Sequence, residues 1–129
     1  MTVWLSRRLI LAIHSEQLAE HGGAMGLRDP GLLDSALARP LNRAGYGQPD
    51  IAELAALYAI ALARNHPFID GNKRTAYVAM ETFLVVNGCR FPVTDADAVV
   101  TMLAMASGEI PDEEFISWAR LNVSPAPGP

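Results

Sequence analysis

Residues 50–87 read DIAELAALYAIALARNHPFIDGNKRTAYVAMETFLVVN, and this stretch decides the fold. Apolar residues surround both of its halves, over residues 50–65 and about 72–87, so each half is predicted to be a helix buried on all sides. Asp50 is a suitable N-cap for the first helix, and Gly88 follows the second where glycine commonly ends a helix. A short polar loop joins the two. The sequence therefore predicts a central helical hairpin wrapped by the rest of the chain.

Apolar periodicity and capping residues predict four further helices around this hairpin. Ser6 is expected to cap the first of them, and Asp29-Pro30 opens the second, which should stop before Pro40 because proline cannot continue the hydrogen-bonding ladder. The four helices are expected over residues 6–21, 30–39, 95–107 and 111–121.

The segments between these helices are expected to lack regular structure. Residues 40–49 contain two glycines and two prolines and are predicted to be a loop, which either covers a ligand or is an ordinary surface connection. Residues 90–93 are a candidate short extended piece. No stretch alternates long enough to predict a sheet, so the fold class is all-α, with about six helices in one domain over residues 1–123. Residues 124–129 are expected to be a disordered tail.

Composition excludes several classes of protein. The 129 residues include ten basic and fourteen acidic ones, and the formal net charge of −4 argues against direct nucleic-acid binding, which requires a basic face. Cys89 is the single cysteine, so an intrachain disulfide and a cysteine-based zinc site are excluded. The N-terminus lacks the pattern of a signal peptide, and no apolar run approaches the ~18 residues of a membrane span. A cytoplasmic protein that does not bind membranes is expected.

The loop inside the hairpin, HPFIDGNKRT over residues 66–75, carries the chemistry. Gly71 permits a tight turn and a close approach of the backbone to a ligand. The next residues open a helix, whose free N–H groups and dipole favour an anion. Lys73 and Arg74 add positive charge where a helix usually carries acidic residues, and Asn72 adds a neutral donor. A phosphate group is therefore the predicted ligand.

Two further residues of the loop extend this prediction to a reaction. Asp70 would repel a bare phosphate but can hold a Mg²⁺ ion that bridges phosphate oxygens. Histidine changes protonation near neutral pH, so His66 can take a proton from an incoming hydroxyl group. Each residue alone has a structural interpretation, as a turn, a cap or an Asp70–Arg74 ion pair. Their combination favours phosphoryl or nucleotidyl transfer. The chain's single lysine, Lys73, lies in this loop.

The run His66–Thr75 resembles the signature of the Fic/Doc family and is most similar to its Doc (death-on-curing) branch, the toxins of type II toxin–antitoxin systems. The resemblance extends to the segment GGAMGLRDPGLL at residues 22–33, to Ser35-Ala36-Leu37 and Arg39-Pro40 after it, and to Asn87-Gly88 after the second buried helix. It implies a single-domain, all-α Fic fold that carries an ATP-dependent transferase site.

The resemblance also implies roles for the loop residues. Fic enzymes that transfer AMP carry a glycine after the motif's asparagine, whereas this chain has Lys73 there, as in Doc-like proteins that transfer the γ-phosphate. His66 is then the general base and Asp70 the Mg²⁺ ligand. The residues implied to hold the phosphates of ATP are Gly71, Asn72, Lys73 and Arg74.

The resemblance implies partners as well. The expected substrate is a threonine of translation elongation factor Tu, whose phosphorylation arrests translation. No inhibitory [ST]-x-x-x-E-[GN] motif occurs in this sequence, so restraint is expected from a separate Phd-like antitoxin that docks a helix into a groove of the toxin. Two alternatives stay open: AMP transfer by the same site, and a non-catalytic protein that only binds an antitoxin.

Overall fold

The computed structural model describes residues 1–127, which form six helices and one pair of two-residue strands. Within these residues, no helix is both long and apolar enough to cross a bilayer. The all-α class predicted from the sequence is confirmed. The helices are α1 (Arg7–His21), α2 (Pro30–Ala44), α3 (Ile51–Asn65), α4 (Asn72–Val86), α5 (Asp95–Ala106) and α6 (Asp112–Asn122), and the strands are β1 (Cys89–Arg90) and β2 (Ser124–Pro125).

Helices α3 and α4 form the predicted central hairpin. Every residue of α3 from Leu54 to Ala63 is buried, and α3 packs on α4 more extensively than any other pair of elements does. Many of the buried residues at this interface are alanines, and their small side chains let the two backbones approach closely. Larger side chains fill the space around them: the rings of Tyr58 and Phe83 lie 5.1 Å apart in the core. The hairpin is therefore the scaffold on which the connecting loop is mounted.

Helix boundaries follow the capping residues that the sequence predicts. The side chains of Ser6, Asp29, Asp50 and Thr94 each accept a hydrogen bond from the backbone N–H three residues later. Such a bond satisfies one of the unpaired donors of a helix's first turn and contributes about 1 kcal/mol. The predicted starts of α1, α2, α3 and α5 are confirmed.

The predicted end of the second helix before Pro40 is wrong, because α2 continues to Ala44. Pro40 lacks the N–H that would reach the carbonyl of Ala36, so the helix loses one hydrogen bond there. Pro40 is buried, however, and α2 packs along α3, so tertiary contacts keep the helix continuous. The predicted loop over residues 40–49 consequently begins only at Gly45.

The C-terminal segment is also more ordered than predicted. Ser124 and Pro125 pair antiparallel with Arg90 and Cys89, and the N–H of Ala126 donates to the carbonyl of Gly88 at 2.9 Å. The expectation of a disordered tail from residue 124 is therefore wrong for these residues, and its last part, residues 128–129, lies outside the described residues. The extended piece expected at residues 90–93 is limited to Cys89–Arg90.

Candidate active site

A cleft of about 210 Å³ opens at the loop between α3 and α4. It brings together all six residues that the sequence singled out for catalysis, metal binding and phosphate binding. The side chains and backbone of the cleft come from two helix ends that face each other across the loop. The lining residues are His66, Asp70, Gly71, Asn72, Lys73 and Arg74.

His66 ends α3 in a left-handed backbone conformation, with φ 55° and ψ 53°. Within residues 1–127 it is the only non-glycine residue with a positive φ. This conformation costs a residue with a Cβ atom roughly 1–2 kcal/mol, so neighbouring contacts must hold it. The His66 side chain is exposed and lines the cleft, where a substrate hydroxyl can reach it.

Asp70 presents an ionised carboxylate to the same cleft. The backbone N–H of Ala24 donates to its Oδ2 at 3.2 Å, and the N–H of Gly71 donates to its Oδ1 at 2.8 Å. These two hydrogen bonds lower the pKa of Asp70, and the nearby charge of Arg74 lowers it further. Among residues 1–127, no three His, Cys, Asp or Glu side chains form a metal-binding cluster. A single carboxylate fits Mg²⁺, which completes its coordination with water and substrate phosphates.

The N-terminus of α4 is arranged for an anion. Gly71 is its N-cap, with φ 77°, and within the described part of the chain no side chain caps this helix end. The backbone N–H groups of the first turn are thus free to bind a ligand. Lys73 is exposed above them, and Arg74 donates from Nη2 to the carbonyl of Gly22 at 3.1 Å. The donors and charges of this helix end fit a phosphate group.

Asn72 was expected to donate to a phosphate group, but its side chain is buried and bonded to the loop. Its side chain is only 4% exposed. Its Oδ1 accepts from the N–H of Phe68 and its Nδ2 donates to the carbonyl of Phe68, both at 2.9 Å. These bonds clamp the loop onto the start of α4 and leave one N–H of the amide for a ligand. In this structure the main contacts of Asn72 are therefore to the loop itself.

Sequence reasoning missed His14 of α1 as a residue of this site. Its ring stacks on Phe68, with centroids 3.7 Å apart and planes 7° from parallel, and its Nε2 lies 2.8 Å from the carbonyl oxygen of Asp70. The only signal in the sequence is spacing, because His14 shares the buried face of α1 with Ile10 and Leu18. His14 thus holds the loop through its stacking on Phe68 and its contact with the backbone carbonyl of Asp70.

A second segment runs alongside the loop between α3 and α4, and we call it the strap (residues 22–29). It lies antiparallel to residues 65–74, since hydrogen bonds join its start to Arg74 and Asp70 and its end to Pro67 and His66. Gly23 and Gly26 have φ values of 125° and 128°, and a Cβ atom added to either would lie 2.7 Å from the side chain of Asp70 or Ile69. These two side chains could move aside, but φ values in this range strain any residue with a Cβ atom, so the backbone of the strap favours glycine at both positions.

An apolar groove of about 340 Å³ lies between α1, α4 and α5. Its apolar lining includes Val78, Val99 and Leu103. Lys73 and Arg74 line both this groove and the cleft at the loop between α3 and α4. A molecule bound along the groove would thus touch the two cations at the start of α4.

Comparisons with known proteins identify relatives across most of the chain. A model described as the Fic/DOC family matches residues 4–84. A protein named Toxin Doc from Mycolicibacterium smegmatis is 45% identical over 91 residues, which cover 68% of this chain and 67% of the relative. A protein named Protein kinase doc from Escherichia phage P1 is 34% identical over 108 residues, which cover 82% of this chain and 84% of the relative.

Proposed function

The chain belongs to the Fic/DOC family, and from that membership we propose that it is a Doc-like toxin, an ATP-dependent kinase that phosphorylates a threonine of elongation factor Tu and arrests translation. The observation that carries this proposal is the cleft in which His66, Asp70 and the uncapped start of α4 meet. The two relatives support it through their names, one called a toxin and the other a protein kinase.

His66 is the proposed general base. Its exposed imidazole takes the proton of the threonine hydroxyl group as the hydroxyl oxygen forms a bond to the γ-phosphorus, while the bond from that phosphorus to ADP breaks. Proton removal makes the hydroxyl oxygen a better nucleophile. The left-handed backbone of His66 is what places this ring at the edge of the cleft.

The other cleft residues bind and orient ATP in this proposal. Asp70 holds Mg²⁺, which neutralises charge on the phosphates when it is bound. The free N–H groups of the first turn of α4, together with Lys73, Arg74 and the remaining N–H of Asn72, hold phosphate oxygens. Gly71 donates its own N–H to Asp70, and its role in this proposal is to let the backbone approach the phosphates closely. Lys73 fills the place where a smaller residue would leave room for inner phosphates, and its point charge favours a terminal phosphate there.

Labelled ATP tests whether the γ-phosphate or AMP is transferred. Incubation with elongation factor Tu, Mg²⁺ and γ-³²P-ATP is expected to label the factor on a threonine, and α-³²P-ATP is expected to leave it unlabelled. Labelling from α-³²P-ATP alone would overturn the kinase proposal in favour of AMP transfer. Absence of labelling from both nucleotides, with growth arrest retained, would favour a protein that acts by binding only.

We further propose that a Phd-like antitoxin restrains the toxin through the apolar groove. An amphipathic antitoxin helix fits the groove's chemistry, with its apolar face on Val99 and Leu103 and an acidic side chain at Lys73 and Arg74. Because these two cations also line the cleft at the loop between α3 and α4, the antitoxin helix would compete with phosphate binding. Restraint and catalysis would then share two residues.

Substitution of a groove residue tests this docking surface. Leu103→Glu places a charge on the apolar lining and is expected to weaken antitoxin binding by at least about 100-fold in Kd, while elongation factor Tu is still labelled. Leu121→Glu is the matched control, because Leu121 is 85% exposed on α6, away from the groove. Equal antitoxin affinity of Leu103→Glu, Leu121→Glu and the wild type, measured by calorimetry, would exclude the groove as the docking site.

A further inference from the structure

One residue of the strap, Arg28, binds three successive carbonyl groups at the end of α3. Its Nη2 donates to the carbonyl of Asn65 at 3.1 Å and its Nε to that of His66 at 2.7 Å. Its backbone N–H donates to the carbonyl of Pro67, also at 2.7 Å. Arg28 therefore binds the carbonyl group of His66 and the carbonyl groups of the residues directly before and after it.

The carbonyls of Asn65 and His66 belong to the C-terminal end of a helix, where carbonyl groups lack partners inside the helix and carry partial negative charge. A guanidinium group can hydrogen-bond these carbonyls and offset their negative charge, since it presents several N–H donors in a fixed plane and carries a positive charge. The bonds are charge-assisted, so they are stronger than those between neutral groups. They act at His66, the only non-glycine residue with a positive φ in the described part of the chain.

We propose that Arg28 is a positioning residue for His66, and this proposal rests on the proposed function of His66 as general base. The guanidinium group holds the His66 carbonyl in the orientation that a left-handed backbone requires. Without it, the backbone of His66 relaxes towards the regions that residues with a Cβ atom prefer, and the ring turns away from the cleft. Arg28 does not touch the substrate and acts only through His66.

The remaining contacts of the strap explain why the effect is confined to His66. The N–H of Asp29 also donates to the carbonyl of Pro67, and the N–H of Ile69 donates to the carbonyl of Gly26. The carboxylate of Asp70 keeps its bond to the N–H of Ala24. All of these bonds are formed by the backbone of the strap and survive removal of the Arg28 side chain. The phosphate and metal side of the cleft is therefore expected to stay in place.

Three variants test the proposal. Arg28→Ala is expected to lower kcat for phosphoryl transfer by about 10–100-fold with the KM for ATP within about twofold, because misplacing a catalytic group slows chemistry more than binding. Arg28→Lys is expected to recover part of kcat, since an ammonium group reaches one carbonyl but not both. Arg7→Ala is the matched control, because it removes another exposed arginine, one that pairs with Asp34 at 2.9 Å.

A second readout needs no substrate. The ¹³Cα and ¹³Cβ chemical shifts of His66 report its backbone dihedral angles, and they are expected to move to right-handed or extended values in Arg28→Ala but not in Arg7→Ala. Thermal melting shows whether each variant is folded. Should Arg28→Ala unfold, Arg28→Lys carries the same test.

The two readouts separate the two proposals. Unchanged His66 shifts and unchanged kcat in folded Arg28→Ala and Arg28→Lys would overturn the positioning role. Equal loss of kcat in Arg7→Ala would also overturn it, because the loss would then follow from a general effect of removing an arginine. Shifted His66 signals in a protein whose wild type labels no target would support the positioning role while the kinase proposal fails.

Discussion

Replacement of His66 by alanine is expected to reduce phosphoryl transfer to elongation factor Tu by at least about 100-fold, the lower end of what a general base contributes. The reason is that no other described residue lining the cleft carries an imidazole: the cleft otherwise offers a carboxylate, an amide, two cations and a glycine. Labelling by γ-³²P-ATP under single-turnover conditions measures the loss. ATP binding should change little, because the start of α4, where we propose that the phosphates bind, is untouched.

His66→Gly provides the matched control for the strain at this position. Glycine adopts the left-handed conformation without the cost that a Cβ atom brings, so this variant is expected to unfold at a higher temperature than His66→Ala. Both variants lack the imidazole and should be equally inactive. Transfer at near wild-type rate by either variant would remove His66 from the mechanism, and equal growth arrest by wild type and His66→Ala would favour a toxin that only binds.

Replacement of Lys73 by methionine is expected to lower kcat/KM for ATP by about 100–1,000-fold, as is usual when one charge-stabilising donor is removed from an active site. Methionine keeps the length of the side chain and removes its charge. The fold should be unaffected, because Lys73 is exposed. Steady-state kinetics with varied ATP and a thermal melt of the variant separate loss of binding from loss of structure.

Lys73→Arg makes the same test more specific. A guanidinium fork keeps the charge but spreads it over a plane, so it is expected to replace a point charge on a terminal phosphate only in part. The variant should lie between the methionine variant and the wild type in kcat/KM. Full activity of Lys73→Arg would contradict the role assigned to Lys73, and full activity of Lys73→Met would contradict any role in phosphate binding.

Local signals in the sequence were sufficient for most of the helices. The side chains of Ser6, Asp29, Asp50 and Thr94 cap their helices within three residues of chain, so spacing alone predicts them. Pro40 misled the prediction because a local rule, that proline ends a helix, is outweighed by packing of α2 on α3. Burial of that kind depends on residues that are distant in sequence.

In the candidate site, too, features set by neighbouring residues were predictable from the sequence, and those set by distant residues were not. The six candidate residues were predicted to lie together because they come from one short stretch of sequence, and the structure places His66 and residues 70–74 in one cleft. The supports of that cleft were not predictable, since His14 meets Asp70 across a sequence separation of 56 residues and Arg28 meets His66 across 38. Asn72 was predicted as a phosphate donor from its type, whereas its contacts to Phe68 depend on how the loop closes.

The strap has a consequence for the order in which the protein folds. The α3–α4 hairpin is closed by a loop of only a few residues, so its formation is entropically cheap, whereas the strap closes chain segments of 37 to 52 residues. A folding intermediate that contains the hairpin without the docked strap already has every predicted catalytic residue, but not the bonds that hold Asp70 and His66. We therefore expect the proposed transferase site to be complete only after the strap has docked on the hairpin.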